Sequence, residues 1–273
     1  VCCGIMSKST SIKLNFIMSA LLTMSSFIFP LITFPYVSRI LLPEGTGKVS
    51  FATSVVSYFA LFAQLGIPTY GIRACAQVRD DKIKLTRTVH ELLIINLIMS
   101  AIAYLAFFVA LYNVPRLSQD KTLFLIASSS ILFNAIGMEW LYKALEQYTY
   151  ITIRSVAFKF IALIAMFLLV HQKSDYIVYG GISTVAAFAS NIFNFIHARH
   201  YVSARPVGHY NLKRHMKAIF VFFAMSFAVT IYTNLDTVML GFMATDADVG
   251  CYSAAVKIKS VLLGVVSSLG NVL

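Results

Sequence analysis

Between Phe29 and Arg73 two long apolar runs are joined by a short polar connection, Pro43 to Lys48, and the second run is broken near its end by Gly66-Ile67-Pro68. A soluble domain would have to cover runs this apolar with protein on every side, whereas lipid solvates them directly, so the stretch reads as a membrane hairpin. Pro30, Pro35 and Pro68 each remove a backbone donor, which a membrane helix tolerates where the freed carbonyls face protein or water. Bending for better packing and a part in gating are both open readings of these prolines.

The rest of the chain repeats the pattern. Of 273 residues, 59% are hydrophobic and 12% charged, a balance that excludes most soluble enzymes and points to an all-α, polytopic transmembrane helix bundle. A hydrocarbon layer of about 30 Å needs about 20 apolar residues per crossing. Eight spans meet that length: Leu14 to Leu41, Val49 to Ile72, Leu92 to Val114, Thr122 to Tyr142, Tyr150 to Val170, Tyr176 to Ile196, Ala218 to Met243, and Val249 to Leu273. Arg154 and Lys159 interrupt the fifth.

The net charge of +11 would suit a nucleic-acid binder if it were clustered, but the charges sit between the apolar runs. With the N-terminus inside, fifteen Lys and Arg fall on the inner side and five (Arg39, Lys48, Arg116, Lys121 and Lys173) on the outer side. The positive-inside rule then sets an N-in orientation, and the basic excess needs no nucleic acid. Tyr70, Tyr104, Trp140, Tyr142, Tyr148 and Tyr150 stand at span ends, where an interfacial aromatic belt is expected.

No catalytic constellation emerges. Cys2, Cys3, Cys75 and Cys251 show no metal or disulfide spacing, and the six histidines, His215 among them, read as interfacial residues rather than ligands. No cofactor is implied. A weak internal repeat lays Gly47-Lys-Val-Ser50-Phe-Ala52 over Gly250-Cys-Tyr-Ser253-Ala-Ala255. It predicts a six-helix lobe over residues 1–200 and the first two helices of an incomplete second lobe over residues 213–273.

Charge within the bilayer is the remaining signal, because an ionisable group at the midplane is expensive enough to imply a function. At 1.5 Å per residue, Lys159 and Lys257 fall roughly 12 to 14 Å deep. Lys257 and Lys259, two residues apart, point to different helix faces. Arg39 and Asp236 lie toward the outer ends of spans one and seven, with burial expected for Asp236, while Arg73, Glu139 and Arg154 lie toward the inner surface. Cations outnumbering acids predict a cavity that attracts an anion such as a diphosphate.

Several segments together carry a resemblance: Pro30-Leu-Ile-Thr-Phe-Pro35-Tyr-Val-Ser-Arg39, Leu65-Gly-Ile-Pro-Thr-Tyr-Gly-Ile-Arg73, Val78-Arg-Asp-Asp-Lys82, Glu146-Gln-Tyr-Thr-Tyr-Ile-Thr-Ile-Arg154, and Asp236-Thr-Val-Met-Leu-Gly241 with Val249-Gly-Cys-Tyr-Ser-Ala-Ala255. In these the chain resembles the bacterial polysaccharide repeat-unit flippases of the multidrug/oligosaccharidyl-lipid/polysaccharide exporter superfamily. The resemblance implies two six-helix lobes around a central cavity that opens alternately to either side of the inner membrane. It implies a substrate of oligosaccharide on undecaprenyl diphosphate, for O-antigen or capsule, with polymerase and glycosyltransferases as functional partners.

On that reading Arg39, Arg73, Arg154, Lys159 and Lys257 are the substrate-binding candidates, and Asp236 is a coupling-ion or charge-pair candidate. The sequence departs from the family at Lys143-Ala144, where Gln-Gly is usual, and it ends after the second lobe's first two helices, as a fragment would. Two other readings compete. A cation or drug antiporter of the same superfamily would need buried acids where Lys159 and Lys257 stand, and a polysaccharide polymerase or ligase would need a long outer loop, which this sequence lacks.

Overall fold

A computed structural model describes residues 12–270 apart from residue 204, with backbone alone from residue 261 onward. Cys2, Cys3, Lys8 and the last three residues of the eighth expected span lie outside the described residues. Within them the structure is helical, without strands.

Helix α1 (Ile12–Gln64) reverses at Leu42, whose φ of 57° and ψ of 177° are far from helical. Pro43 is the cause: its ring disfavours helical geometry in the preceding residue and it brings no amide hydrogen. The first arm of α1 runs beside α7 (Tyr148–Leu169) in the same direction. Thr152 donates to the Met18 carbonyl at 2.9 Å and the Tyr36 hydroxyl to the Val170 carbonyl at 3.0 Å. The second arm runs against α10 (Lys213–Met243), with Phe51 on Phe242 and Phe62 on Phe223 at ring separations of 5.3 and 5.5 Å. The predicted hairpin is therefore present.

The second arm ends at Leu65 and Gly66, both left-handed, after which α2 (Ile67–Ala76) starts with Pro68 in its first turn. Gly66 is required there. Its φ is +74°, and a Cβ would stand 2.5 Å from the backbone nitrogen of Phe223.

Helix α3 (Lys82–Asn113) is capped by Asp81, whose carboxylate accepts from the amides of Ile83 and Lys84, both at 3.0 Å. These amides hold the Asp81 carboxyl below its usual range. The one-turn α4 (Pro115–Ser118) leads to α5 (Lys121–Gly137), which stops at the left-handed Met138 before the short α6 (Glu139–Ala144). Where the resemblance has Gln-Gly, Lys143 and Ala144 stay helical, and the left-handed turn falls instead at Glu146, with φ 57°. Helix α8 (Tyr176–Thr184), a π-turn at Val185–Ala189 and α9 (Ser190–His197) form one pass. Helix α11 (Asp246–Gly270) closes the described chain.

Among the described residues the chain thus makes eight passes: two from α1, one each from α3, α5, α7, α10 and α11, and one from α8 with α9. Six stretches are long and apolar enough to cross a membrane, the first being the folded Lys13–Ala76. Large apolar side chains such as Leu105, Ile161 and Met225 lie exposed on the outside, where lipid would cover them. The chain is a multi-pass membrane protein.

Interactions sort the loops onto two ends. At one, Arg116 pairs with Asp246 and donates to the Gly241 carbonyl at 2.8 Å, and Asp120 accepts from Lys48 and Tyr176. At the other, the end carrying the basic excess, Trp140, Leu141, Ile67 and Ile219 form an apolar cluster. A larger cluster around Phe107, Phe124, Leu41 and Val249 fills the region nearer the first end.

Candidate functional site

Between the second arm of α1, α5, the α8 π-turn and α10 lies a cavity of about 430 Å³. Its polar lining is Thr53, Ser57, Gln64, Ser130, Asn134, Thr184, Ser226, Thr230 and Asn234, and no ionisable side chain faces it among the described residues. Thr53 donates to Val49, Thr184 to Gly180 and Thr230 to Ser226, each to a carbonyl one turn back at 2.8 to 2.9 Å. Their hydrogens are committed to the backbone, so their oxygens are left as acceptors. Gln64, Asn134 and Asn234 add amides that can donate and accept.

A second cavity of about 150 Å³ shares Gln64, Pro68 and Asn134 with the first and is completed by Asn96, Asn191, Glu139, Trp140 and Lys143. Asn96 is 3% exposed; its amide donates to the Ala135 carbonyl at 3.0 Å, while its oxygen is buried without a partner. Glu139 and Lys143 pair at 2.8 Å across one helical turn. The two cavities share Gln64, Pro68 and Asn134, and their neutral hydroxyls and amides offer hydrogen-bond acceptors within a largely apolar wall.

The charged residues singled out in the sequence lie elsewhere, and none of the six lines either cavity. Lys159, half-buried between α7 and the first arm of α1, donates to Ser25 and Ser26 at 2.8 and 2.9 Å, and no carboxylate pairs with it among the described residues. Arg154 is 9% exposed; it donates to the Ser190 carbonyl at 2.9 Å and leaves its Nε buried and unpaired. Lys257 sits 4.4 Å above the ring of Phe34. Arg39 and Arg73 are exposed.

Two expectations are corrected. Asp236, expected to be buried, is exposed and accepts from the hydroxyl of Tyr252 on α11 at 2.5 Å. His215, read as interfacial, is 3% exposed and belongs to a cluster that sequence reasoning missed. The Glu91 carboxylate, with none of its surface exposed, accepts from the Asn211 amide at 2.7 Å, from Arg214 at 2.6 Å, and contacts His215 Nε2 at 2.7 Å. Tyr70 closes the group through His215 Nδ1 at 2.7 Å. The available signal was a lone acid directly before an uncharged run: the third span was drawn from Leu92, one residue too late to include it.

Eight passes around a cavity lined by neutral hydroxyls and amides define a multi-pass helical membrane protein. The chain belongs to a family described as "Polysaccharide biosynthesis protein", whose model matches residues 12–273. A protein of Escherichia coli (strain K12), named provisionally as an O-antigen transporter, is 24% identical over 259 residues, covering 94% of this chain and 62% of its own length. One of Shigella dysenteriae with the same name is 24% identical over 261 residues, covering 95% of this chain and 65% of its own. The chain therefore spans just under two-thirds of the length of these curated relatives. No solved structure matches.

Proposed function

We propose that this chain supplies the first lobe and the start of the second in a flippase that moves oligosaccharide linked to undecaprenyl diphosphate across the bacterial inner membrane, N-terminus inside, for O-antigen or a related polymer. The neutral hydroxyl- and amide-lined cavity carries the reading. Sugar hydroxyls need many acceptors and no net charge, and a site of this kind excludes analogues that leave its buried polar groups unpaired. A drug-cation antiporter would want carboxylates in that cavity, and none faces the larger one among the described residues.

The diphosphate falls to the cations outside the cavity. Lys159, held by hydroxyls alone, and Arg154, with an unpaired Nε, have charge and hydrogen-bonding capacity left for an anion. Lys257 approaches from α11, and Arg39 and Arg73 meet headgroups at the two ends. Asp236 serves as the polar tie between α10 and α11.

Two lobes are supported by a reciprocal contact. A Cβ on Gly47 would strike the Asp246 carbonyl and the Gly250 amide, and a Cβ on Gly250 would strike the Pro43 carbonyl. Each glycine thus abuts the residue four before the other, as an approximate two-fold axis between repeats would require. Glycosyltransferases would supply the substrate and a polymerase would consume it. The test is surface polysaccharide in cells carrying Asn134→Leu with Thr230→Val: polymer should disappear while the protein stays in the membrane. Polymer at the wild-type level would reject the cavity as the substrate site.

A further inference from the structure

The Glu91 cluster is not used by the reading above, and its hydrogen bonds cannot all be made at once. Arg214 Nε points at His215 Nε2 at 3.1 Å, which needs a bare nitrogen, while Glu91 Oε2 stands 2.7 Å from the same nitrogen, which needs a proton on it. A neutral imidazole can satisfy one neighbour or the other. The Tyr70 bond follows the choice: its hydroxyl donates to a bare Nδ1 when Nε2 carries the proton and accepts from Nδ1–H when Nε2 is bare.

We infer that this cluster is a proton-binding site that couples protonation to the separation of α10 from α2 and α3. The inference rests on the transport reading, since it gives the flippase its coupling ion. One proton from water resolves the conflict: it occupies the vacant ring nitrogen, Nε2–H then serves Glu91, Nδ1–H serves Tyr70, and Arg214 Nε loses its acceptor. A buried group that was balanced, one carboxylate against one guanidinium, now holds an extra positive charge beside Arg214. Arg214, already half-exposed, turns to solvent, and the start of α10 loosens from the first lobe.

The surroundings contain no second acid to absorb the charge among the described residues. From α2 come Tyr70, with Arg73 and Cys75 nearby. From α3 come Glu91, Thr88, and Arg87 one turn earlier, while His90 is engaged by Tyr210 at 3.0 Å. Helix α6, packed on α2, carries Glu139 and Lys143, which pair with each other. The second arm of α1 meets this end of α10 through Phe62, an apolar contact.

The position gives the site its leverage. It ties together the three elements that close the basic end of the bundle, and weakening such a tie moves a two-state equilibrium toward the separated form.

The experiment is a spin-label distance measurement between Asp80→Cys and Lys217→Cys, both exposed, in the full chain lacking Cys2, Cys3 and Cys251 and held in phospholipid nanodiscs without substrate. Between pH 8 and pH 4.5 the wild-type distance should gain a longer component that grows toward the acid end. His215→Gln and His215→Asn should hold one distribution across the range, Glu91→Gln should show the longer component at every pH, and His90→Gln should behave as wild type. A wild-type distance that ignores pH, or a response that persists in either His215 variant, overturns the inference. Because no substrate is present, that outcome leaves the Asn134 and Thr230 polymer test, and the transport reading with it, standing on its own.

Discussion

Replacing Glu91 with Ala removes the single acceptor that holds three donors at the basic end of the bundle. Asn211 loses its partner, Arg214 keeps only Thr88 and His215, and His215, whose side chain is 4% exposed, is left with Arg214 as the sole neighbour of Nε2. Breaking a buried ion pair by deleting one partner costs about 3–5 kcal/mol. The Arg214 side chain is 44% exposed and recovers water, which moves the expectation to the lower end, about 3 kcal/mol. At about 2–4 °C per kcal/mol for a chain of this size, the melting midpoint should fall by about 6–12 °C. Glu91→Gln keeps an acceptor for Asn211 and loses the charge, so about 1–2 kcal/mol is expected. The assay is thermal unfolding in detergent at pH 8, with Arg214→Ala and the double variant alongside. The double variant should lose less than the two singles added together, since each single already breaks the same pair. A Glu91→Ala midpoint within the error of wild type, or strict additivity, would refute the claim that the cluster holds the start of α10 to α3.

Gly66→Ala places a Cβ against backbone rather than a pliable side chain and imposes a left-handed conformation costing about 1–2 kcal/mol, so a midpoint drop and loss of surface polymer together should result. Gly181 in α8 is the control, since the nearest atom to an added Cβ there is Ile126 Cγ2 at 3.7 Å, and Gly181→Ala should be silent in both measurements. Lys159→Gln keeps hydrogen bonds to Ser25 and Ser26 but removes the charge, so protein level should hold while polymer output falls about 10-fold or more, the factor that 1.4 kcal/mol supplies. The Asp81 cap should be acid-sensitive. Its folded pKa lies below the unfolded value of about 3.9, so its contribution is intact above that pH and fades as pH drops through the depressed folded value, read as faster amide exchange at Ile83 and Lys84.

Hydrophobic run length was enough to find every pass, because a bilayer dictates length and a missing charge is easy to see. Pro43 marked the reversal and Gly66 the second break, each through a backbone constraint that one residue type announces. Arg154 and Lys159 do not interrupt the helix they lie in: α7 continues unbroken because Ser25, Ser26 and the Ser190 carbonyl receive them. The candidate cavity was not legible. Its polar residues are single Ser, Thr and Asn scattered over four elements, and neutral side chains raise no alarm in an apolar run, whereas five cations did and drew attention away from it. Glu91 was missed for a related reason, since a charge at a span boundary reads as a surface residue until a helix of 32 residues is seen to carry it inward.

The central claim is tested most directly by reconstituting the protein in liposomes with undecaprenyl-diphosphate oligosaccharide bearing a fluorophore on its terminal sugar, and following the fraction that a membrane-impermeant quencher reaches. The account predicts that protected label becomes reachable with time, and that Asn134→Leu with Thr230→Val returns the trace to that of protein-free liposomes. Label that stays protected with the wild-type protein present, or that crosses equally well with the double variant, would contradict it.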